Sequence, residues 1–252
     1  MRSAWKLRLI IMLVIAGFSV ISYLSKSSVN PITGEKQRIS LTPEQEVQMG
    51  LASAPEMAQQ FGGLYRDERV QQQVKTLGQK IVQSSIAGRS GYPFDFHVLA
   101  DDQTVNAFAL PGGQIFITIA LLKRLQTDDQ LAGVLGHEVG HVIGRHSAEH
   151  MAKQQLTQGI TGAVVMGAGS YEMAQVAQMV GGLINMKYGR EDELESDRLG
   201  ACLMAQAGYE PAALIDVMKI LAEASGSARQ PDREDVARHD REHLAARRRA
   251  RR

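Results

Sequence analysis

Two histidines four residues apart, with a glutamate beside the first, constrain this chain more than any other stretch: His137-Glu138-Val139-Gly140-His141. Residues four apart lie on one face of a helix. The two imidazoles can therefore hold one Zn²⁺ together, with Glu138 alongside as a base for water. That is the core of a metalloprotease site. A catalytic zinc takes three protein ligands and keeps one position open. The motif supplies two, so the fold must press a second element against this helix to bring the third.

The 252 residues, 44% of them hydrophobic, are enough for one substantial domain with appendages. A net charge of +1 gives no global field that would select nucleic acid, and 5% aromatic residues give no base-stacking surface. Cys202 is the only cysteine, which excludes an internal disulfide and a cysteine-based zinc site. Its apolar neighbours Leu199 and Leu203 suggest a buried packing thiol.

Residues 1–28 read as an N-terminal membrane anchor or signal sequence. Arg2, Lys6 and Arg8 precede an apolar run of 16 residues, Leu9 to Leu24. That length falls between a signal-peptide core and a full span. With Leu7 included and Arg8 snorkelling it reaches across a bilayer. An uncleaved anchor is favoured, because Lys26 spoils the small-residue pattern of a cleavage site. The expected topology is a single pass through the cell inner membrane with the domain facing the periplasm. Secretion to the periplasm after cleavage is the alternative.

Residues 29–40 read as a linker, and residues 41–225 as the folded domain. Thr42, Pro43 and Gln45 make a capping box that opens a helix. Val70, Val74, Leu77 and Ile81 form a one-face stripe on the next. Phe94, Phe96 and Val98 alternate with Asp95 and His97 as a half-buried strand. Asn106–Leu110, the Pro111-Gly112-Gly113 turn and Gln114–Thr118 suggest a hairpin edge. A second capping box, Thr127 to Gln130, opens the motif helix, which reads as continuous past Ala148. Gly136 and Gly140 in its interior suggest that something packs close to the backbone, since glycine costs about 1 kcal/mol there. Residues 159–186, rich in Gly, Ala, Val and Met, read as a helix packed beside the site or dipping into the membrane surface. Residues 226–252 crowd charges of both signs and end in arginines, which reads as a solvated or disordered tail. The expected fold class is α+β and mainly α-helical, with a small sheet and an active-site helix.

No third histidine follows His141 at a ligand spacing. His146 and His150 fall on other faces of a continuous helix and read as surface residues. The third ligand is therefore expected from Glu191-Asp192-Glu193-Leu194-Glu195-Ser196-Asp197. Glu193 and Asp197 share a helical face, so one can bind the metal while the other accepts a hydrogen bond from a ligating histidine. Glu195 lies on the opposite side. The competing reading is an acidic helix start that suits the dipole.

His137-Glu138-x-x-His141 followed by Glu193-x-x-x-Asp197 resembles the M48 metallopeptidases of the gluzincin class, with a zincin-type domain. Asn30-Pro31-Ile32-Thr33-Gly34, Asn106 to Gly113 and Arg190 to Gly200 match further segments of that family. The resemblance implies one zinc per subunit held by His137, His141 and Glu193. It implies Glu138 as general base and Asp197 as the partner of His137. It also implies an extended polypeptide substrate bound by strand addition along Asn106, Ala107, Phe108 and Ala109. The expected function is a zinc endopeptidase of the bacterial cell envelope acting on misfolded or misassembled proteins. One departure stands out. The family's downstream Thr-His-Pro segment is replaced here by Gln230-Pro231-Asp232, leaving Tyr188 and Arg190 as candidates to steady the oxyanion. A zinc-containing chaperone or assembly factor with weak or no proteolysis is the alternative that this departure favours. A lipid or nucleic-acid binder would rest on the arginine tail alone.

Overall fold

The computed structural model describes residues 2–168 and 188–224. Both the stretch beyond Ala168 and the arginine-rich tail lie outside the described residues. Along the chain run α1 (Arg2–Ser25), β1 (Ser27–Val29), β2 (Lys36–Arg38), α2 (Pro43–Gln60), α3 (Glu68–Gln83), β3 (Asp95–Leu99), β4 (Ala107–Ala109), β5 (Gln114–Thr118), α4 (Ile119–Leu122), α5 (Asp128–Gly144), α6 (His146–Ala168), α7 (Arg190–Gln206) and α8 (Ala213–Ala224). The class is mainly helical α+β, as expected. By backbone contact the chain divides into residues 1–217 and residues 218–252. Of the second unit, the described part is the last turns of α8.

The central sheet has the order β3-β5-β4. β3 runs parallel to β5, pairing Phe96 with Ile115, and β4 runs antiparallel to it, pairing Phe108 with Phe116. β5 lies between two partners, and all five of its residues, Gln-Ile-Phe-Ile-Thr, are buried. That placement suits its β-branched and aromatic content. β4 is thus an edge strand. Gly112 and Gly113 turn the hairpin with φ of 78° and 107°, which side-chain-bearing residues rarely adopt. A Cβ on Gly112 would run into the backbone of Glu46 and Val47, so α2 lies directly over this turn. Below it, Met57 of α2 closes a cluster with Leu99, Leu110 and Phe116.

Capping starts α2 as anticipated. The Thr42 hydroxyl accepts from the Gln45 N–H, and the Gln45 side chain answers the Thr42 N–H. The α3 stripe packs Val74, Leu77 and Ile81 into the core. Helix α5 is buried on nearly every side, from Gln130 to Gly144 with His137 alone half-exposed. A helix hemmed in all round carries no clean amphipathic pattern.

Residues 29–40, expected as a linker, belong instead to the structural frame of α5. β1 and β2 form an antiparallel hairpin, and its loop closes the C-terminal end of α5. Asn30 donates to the Ile143 carbonyl at 2.8 Å, and Gln37 donates to the Gly144 carbonyl. The Asn30 Oδ1 accepts from the N–H groups of Ile32 and Thr33, which sets the turn. Both side chains are buried. The last carbonyls of a helix lack partners within it, and here two of them find side chains.

One expectation fails, and a second finds no support. Cys202 is exposed, because Leu199, Leu203 and Met204 take the inward face of α7 and leave Cys202 on the opposite side. Nor does the fold support the single membrane crossing expected for Leu9–Leu24. Among the described residues, no helix is long and apolar enough to cross a membrane. α1 packs along α6, with Ser19 against Gly159. Its other side leaves Leu13, Val14, Phe18 and Ile21 exposed.

Candidate metal centre

α5 delivers His137, Glu138 and His141, and α7 delivers Glu193 and Asp197. The two helices meet through small residues. A Cβ on Gly200 would come within 2.9 Å of the His137 nitrogen and 3.1 Å of the Gly136 carbonyl carbon. A Cβ on Gly140 would meet the Ser196 hydroxyl at 2.8 Å. The Ser196 hydroxyl donates to the His137 carbonyl, tying the crossing together. The interior glycines of α5 thus mark the close approach that the sequence suggested. Gly200→Ala is expected to cost about 1–3 kcal/mol, because only backbone movement can relieve the contact. Urea unfolding checks this, and a loss below about 0.5 kcal/mol would contradict so close a crossing.

This approach brings three ligating groups to one point. His137 Nε2 and His141 Nε2 are 3.0 Å apart. Glu193 places its carboxylate oxygens 3.6 Å from His137 Nε2 and 3.9 Å from His141 Nε2. Among the described residues, His137, His141 and Glu193 are the group able to hold a metal ion. Ligand atoms about 2.0–2.1 Å from a tetrahedral zinc lie roughly 3.3 Å from one another, so spacing and donor types both fit. Two facing imidazole nitrogens must also share something, a proton or a cation. Of the two carboxylates left open by helix spacing, Glu193 faces the imidazoles. Asp197 accepts from His137 Nδ1 at 2.8 Å and leaves Nε2 free to turn inward.

His146 and Glu195 sit elsewhere than expected. The motif helix does not run on past Ala148. It stops at Gly144, and Arg145 adopts the left-handed conformation, with φ of 58° and ψ of 29°. That single residue redirects the chain, and the His146 ring folds back beneath α5. It is 1% exposed, with Nδ1 at 2.8 Å from His141 Nδ1 and Nε2 at 3.3 Å from Glu195 Oε2. Glu195 is half-buried rather than turned to solvent. Tyr188 stacks on the His141 ring at 4.1 Å, and its hydroxyl pairs with Ser147. The Gly144-Arg145-His146 run gives no local signal of this break, since the left-handed cap falls on Arg145, a good helix former, and not on the glycine before it. His150 is half-buried.

The site is electrostatically tense. Burial pushes the Glu138 carboxyl up to about 7, helped by the charge of Glu193. The neighbouring His137 and the Ala109 N–H that donates to Glu138 pull the other way. Burial would depress His137, but the hydrogen bond to Asp197 and the surrounding carboxylates outweigh it and hold the imidazole up at about 8. Burial and two neighbouring histidines push His141 far down, so it is neutral and has a lone pair to offer.

The edge strand supplies the remaining expected residues. Thr118 N–H donates to the Asn106 carbonyl and Leu110 N–H to the Gln114 carbonyl, so even-numbered residues of this stretch pair with β5. By antiparallel alternation, the backbone groups of Ala107 and Ala109 point away from β5. Asn106 and Phe108 are spent on the sheet, and the Phe108 ring packs between Phe61 and Phe116. The open edge of β4 faces Glu138, as the Ala109 contact requires.

Comparison with known proteins agrees with this geometry. Residues 68–243 match the profile of peptidase family M48. The chain is 29% identical over 225 residues to the "Beta-barrel assembly-enhancing protease" of Yersinia pestis, covering 86% of this chain and 46% of that protein. It is 28% identical over 219 residues to the protein of the same name in Escherichia coli K12, covering 80% and 43%. The "Mitochondrial metalloendopeptidase OMA1" of Schizosaccharomyces pombe is 29% identical over 146 residues, 56% of this chain and 42% of its own. The chain thus spans about half the length of these relatives or less.

Proposed function

Since the chain belongs to peptidase family M48, we propose that it is a zinc-dependent endopeptidase that clears misfolded or misassembled proteins of the bacterial cell envelope. The observation that carries this reading is the convergence of His137, His141 and Glu193 with Glu138 beside them. His137, His141 and Glu193 hold the zinc in this reading. When bound, zinc lowers the pKa of water and polarises the scissile carbonyl. Glu138 takes the proton of the attacking water and passes it to the leaving amine. Its carboxyl, raised by burial, is matched to neutral pH for both steps. Asp197 keeps the His137 proton on Nδ1, so that Nε2 presents its lone pair.

Polypeptide substrates add as a further strand to β4, using the free backbone groups of Ala107 and Ala109. Ala107→Pro removes one outward N–H without touching the pairing to β5. It is expected to lower kcat/KM for an unfolded substrate by about five- to tenfold, from one lost hydrogen bond. Zinc content should stay unchanged, and an unaltered kcat/KM would remove Ala107 from the substrate site. Casein degradation with and without a chelator, restored by added zinc, tests the activity itself. Degradation that survives full metal removal would rule the reading out.

The envelope location draws on relatives named for β-barrel assembly and on the exposed apolar side of α1. In this reading α1 either tethers the domain at a membrane surface or is removed as a leader. N-terminal sequencing of the mature protein separates the two. The alternative, an assembly factor with weak proteolysis, is favoured by Gln230-Pro231-Asp232 in place of the family's histidine-bearing segment. Under that reading, suppression of substrate aggregation persists when the catalytic base is removed.

A further inference from the structure

We propose that His146 and Glu195 form a positioning relay for the second imidazole ligand, His141. The proposal rests on the zinc reading above, and its chemistry follows from which nitrogen faces which. His141 Nε2 points at His137 Nε2 and Glu193. For Nε2 to offer its lone pair to a cation, the His141 proton must sit on Nδ1. That proton points at His146 Nδ1, 2.8 Å away, so His146 Nδ1 must accept. The His146 proton then resides on Nε2, which faces Glu195 Oε2 at 3.3 Å. Each hydrogen bond has one direction, and the chain ends on a carboxylate. A hydrogen-bond acceptor behind a ligating imidazole holds its orientation and raises its basicity. His137 has Asp197 for this purpose, and His141 reaches Glu195 through one more ring.

Three independent features support a built relay. Gly144 leaves room for it: a Cβ there would come within 2.6 Å of the His146 ring. Arg145 takes the strained left-handed conformation that turns the ring inward. Finally, the half-buried Glu195 carboxylate turns toward His146, with the Thr33 side chain as a further partner. Taking a carboxylate out of water is costly unless it is hydrogen-bonded, so packing alone does not explain a carboxylate at this place. Tyr188, stacked on His141 and edge-on to His146, walls the relay off.

The test is zinc affinity of the full chain, measured by competition with a chromophoric chelator, together with the visible spectrum of the Co²⁺-substituted protein. His146→Leu, which offers no acceptor, should weaken zinc binding by roughly 10–100-fold and shift the cobalt spectrum. His146→Gln, whose carbonyl oxygen can accept from His141 Nδ1, should recover most of that affinity. Circular dichroism of the chelated proteins shows whether each variant folds. Should His146→Leu fail to fold, Glu195→Gln carries the test, with an expected weakening of several-fold and the same spectral direction. A folded His146→Leu that binds zinc as the parent does, or a His146→Gln no tighter than His146→Leu, overturns the relay. Should the relay variant be the unfolded one, parent-like affinity in Glu195→Gln overturns it equally. A parent protein that binds no zinc overturns the metal-site reading itself.

Discussion

Glu138→Gln is expected to abolish casein cleavage, with a loss of roughly 10²–10⁴-fold from the missing proton transfer, while zinc stays bound. Glutamine keeps the shape of the side chain, and its carbonyl oxygen can still accept from the Ala109 N–H that now donates to Glu138. Nothing in the packing of α5 needs to change. Chemistry alone is lost, because an amide cannot take a proton from water at neutral pH. The raised carboxyl of Glu138 is a product of its burial, and a base near 7 serves both proton uptake and release. Turnover in this variant beside its zinc content is the decisive measurement. Appreciable cleavage by a zinc-loaded Glu138→Gln protein would end the general-base assignment.

The largest expected stability effect lies at the far end of the same helix. Glu46→Ala should destabilise the fold by about 3–5 kcal/mol, the range for breaking one side of a buried ion pair. Glu46 is 2% exposed and accepts from Arg145 Nε at 3.0 Å and Nη2 at 2.7 Å. The Tyr92 hydroxyl donates to its other oxygen. Removal leaves a largely buried guanidinium with the Leu41 carbonyl and the Tyr92 hydroxyl as partners among the described residues. For a domain of this size the melting temperature should fall by on the order of 10 °C. Arg145 is also the left-handed residue between α5 and α6, so zinc affinity should weaken in parallel as His146 loses its placement. Urea unfolding followed by circular dichroism measures the first effect. A change under about 1 kcal/mol would mean that Glu46 and Arg145 are solvated in solution.

Much of the metal centre was legible in the residues themselves, for a local reason. A four-residue spacing on a helix places side chains on one face whatever surrounds it. The spacing therefore brought His137 to His141, and Glu193 to Asp197, before any packing was known. The capping box at Thr42 and the hairpin turn at Gly112 were readable in the same way, because each depends on neighbours along the chain.

What could not be read depended on distant contacts or on one backbone angle. On a continuous helix His146 would face solvent. One left-handed residue at Arg145 reverses that, and nothing in the composition of α5 announces it. The stretch around Asn30 looked like a linker because its purpose lies 113 residues away, at the Ile143 carbonyl. The apolar neighbours of Cys202 suggest the core, but those neighbours face inward and the thiol does not.

The division of labour at His137-Glu138-x-x-His141 follows the same line. By itself the sequence determined which side chains could act together, since helical periodicity is a property of the chain alone. The tertiary structure decided which carboxylate meets which imidazole. That depends on how closely α5 and α7 approach, and the approach is set by Gly136, Gly140 and Gly200, where missing side chains let two backbones come into contact.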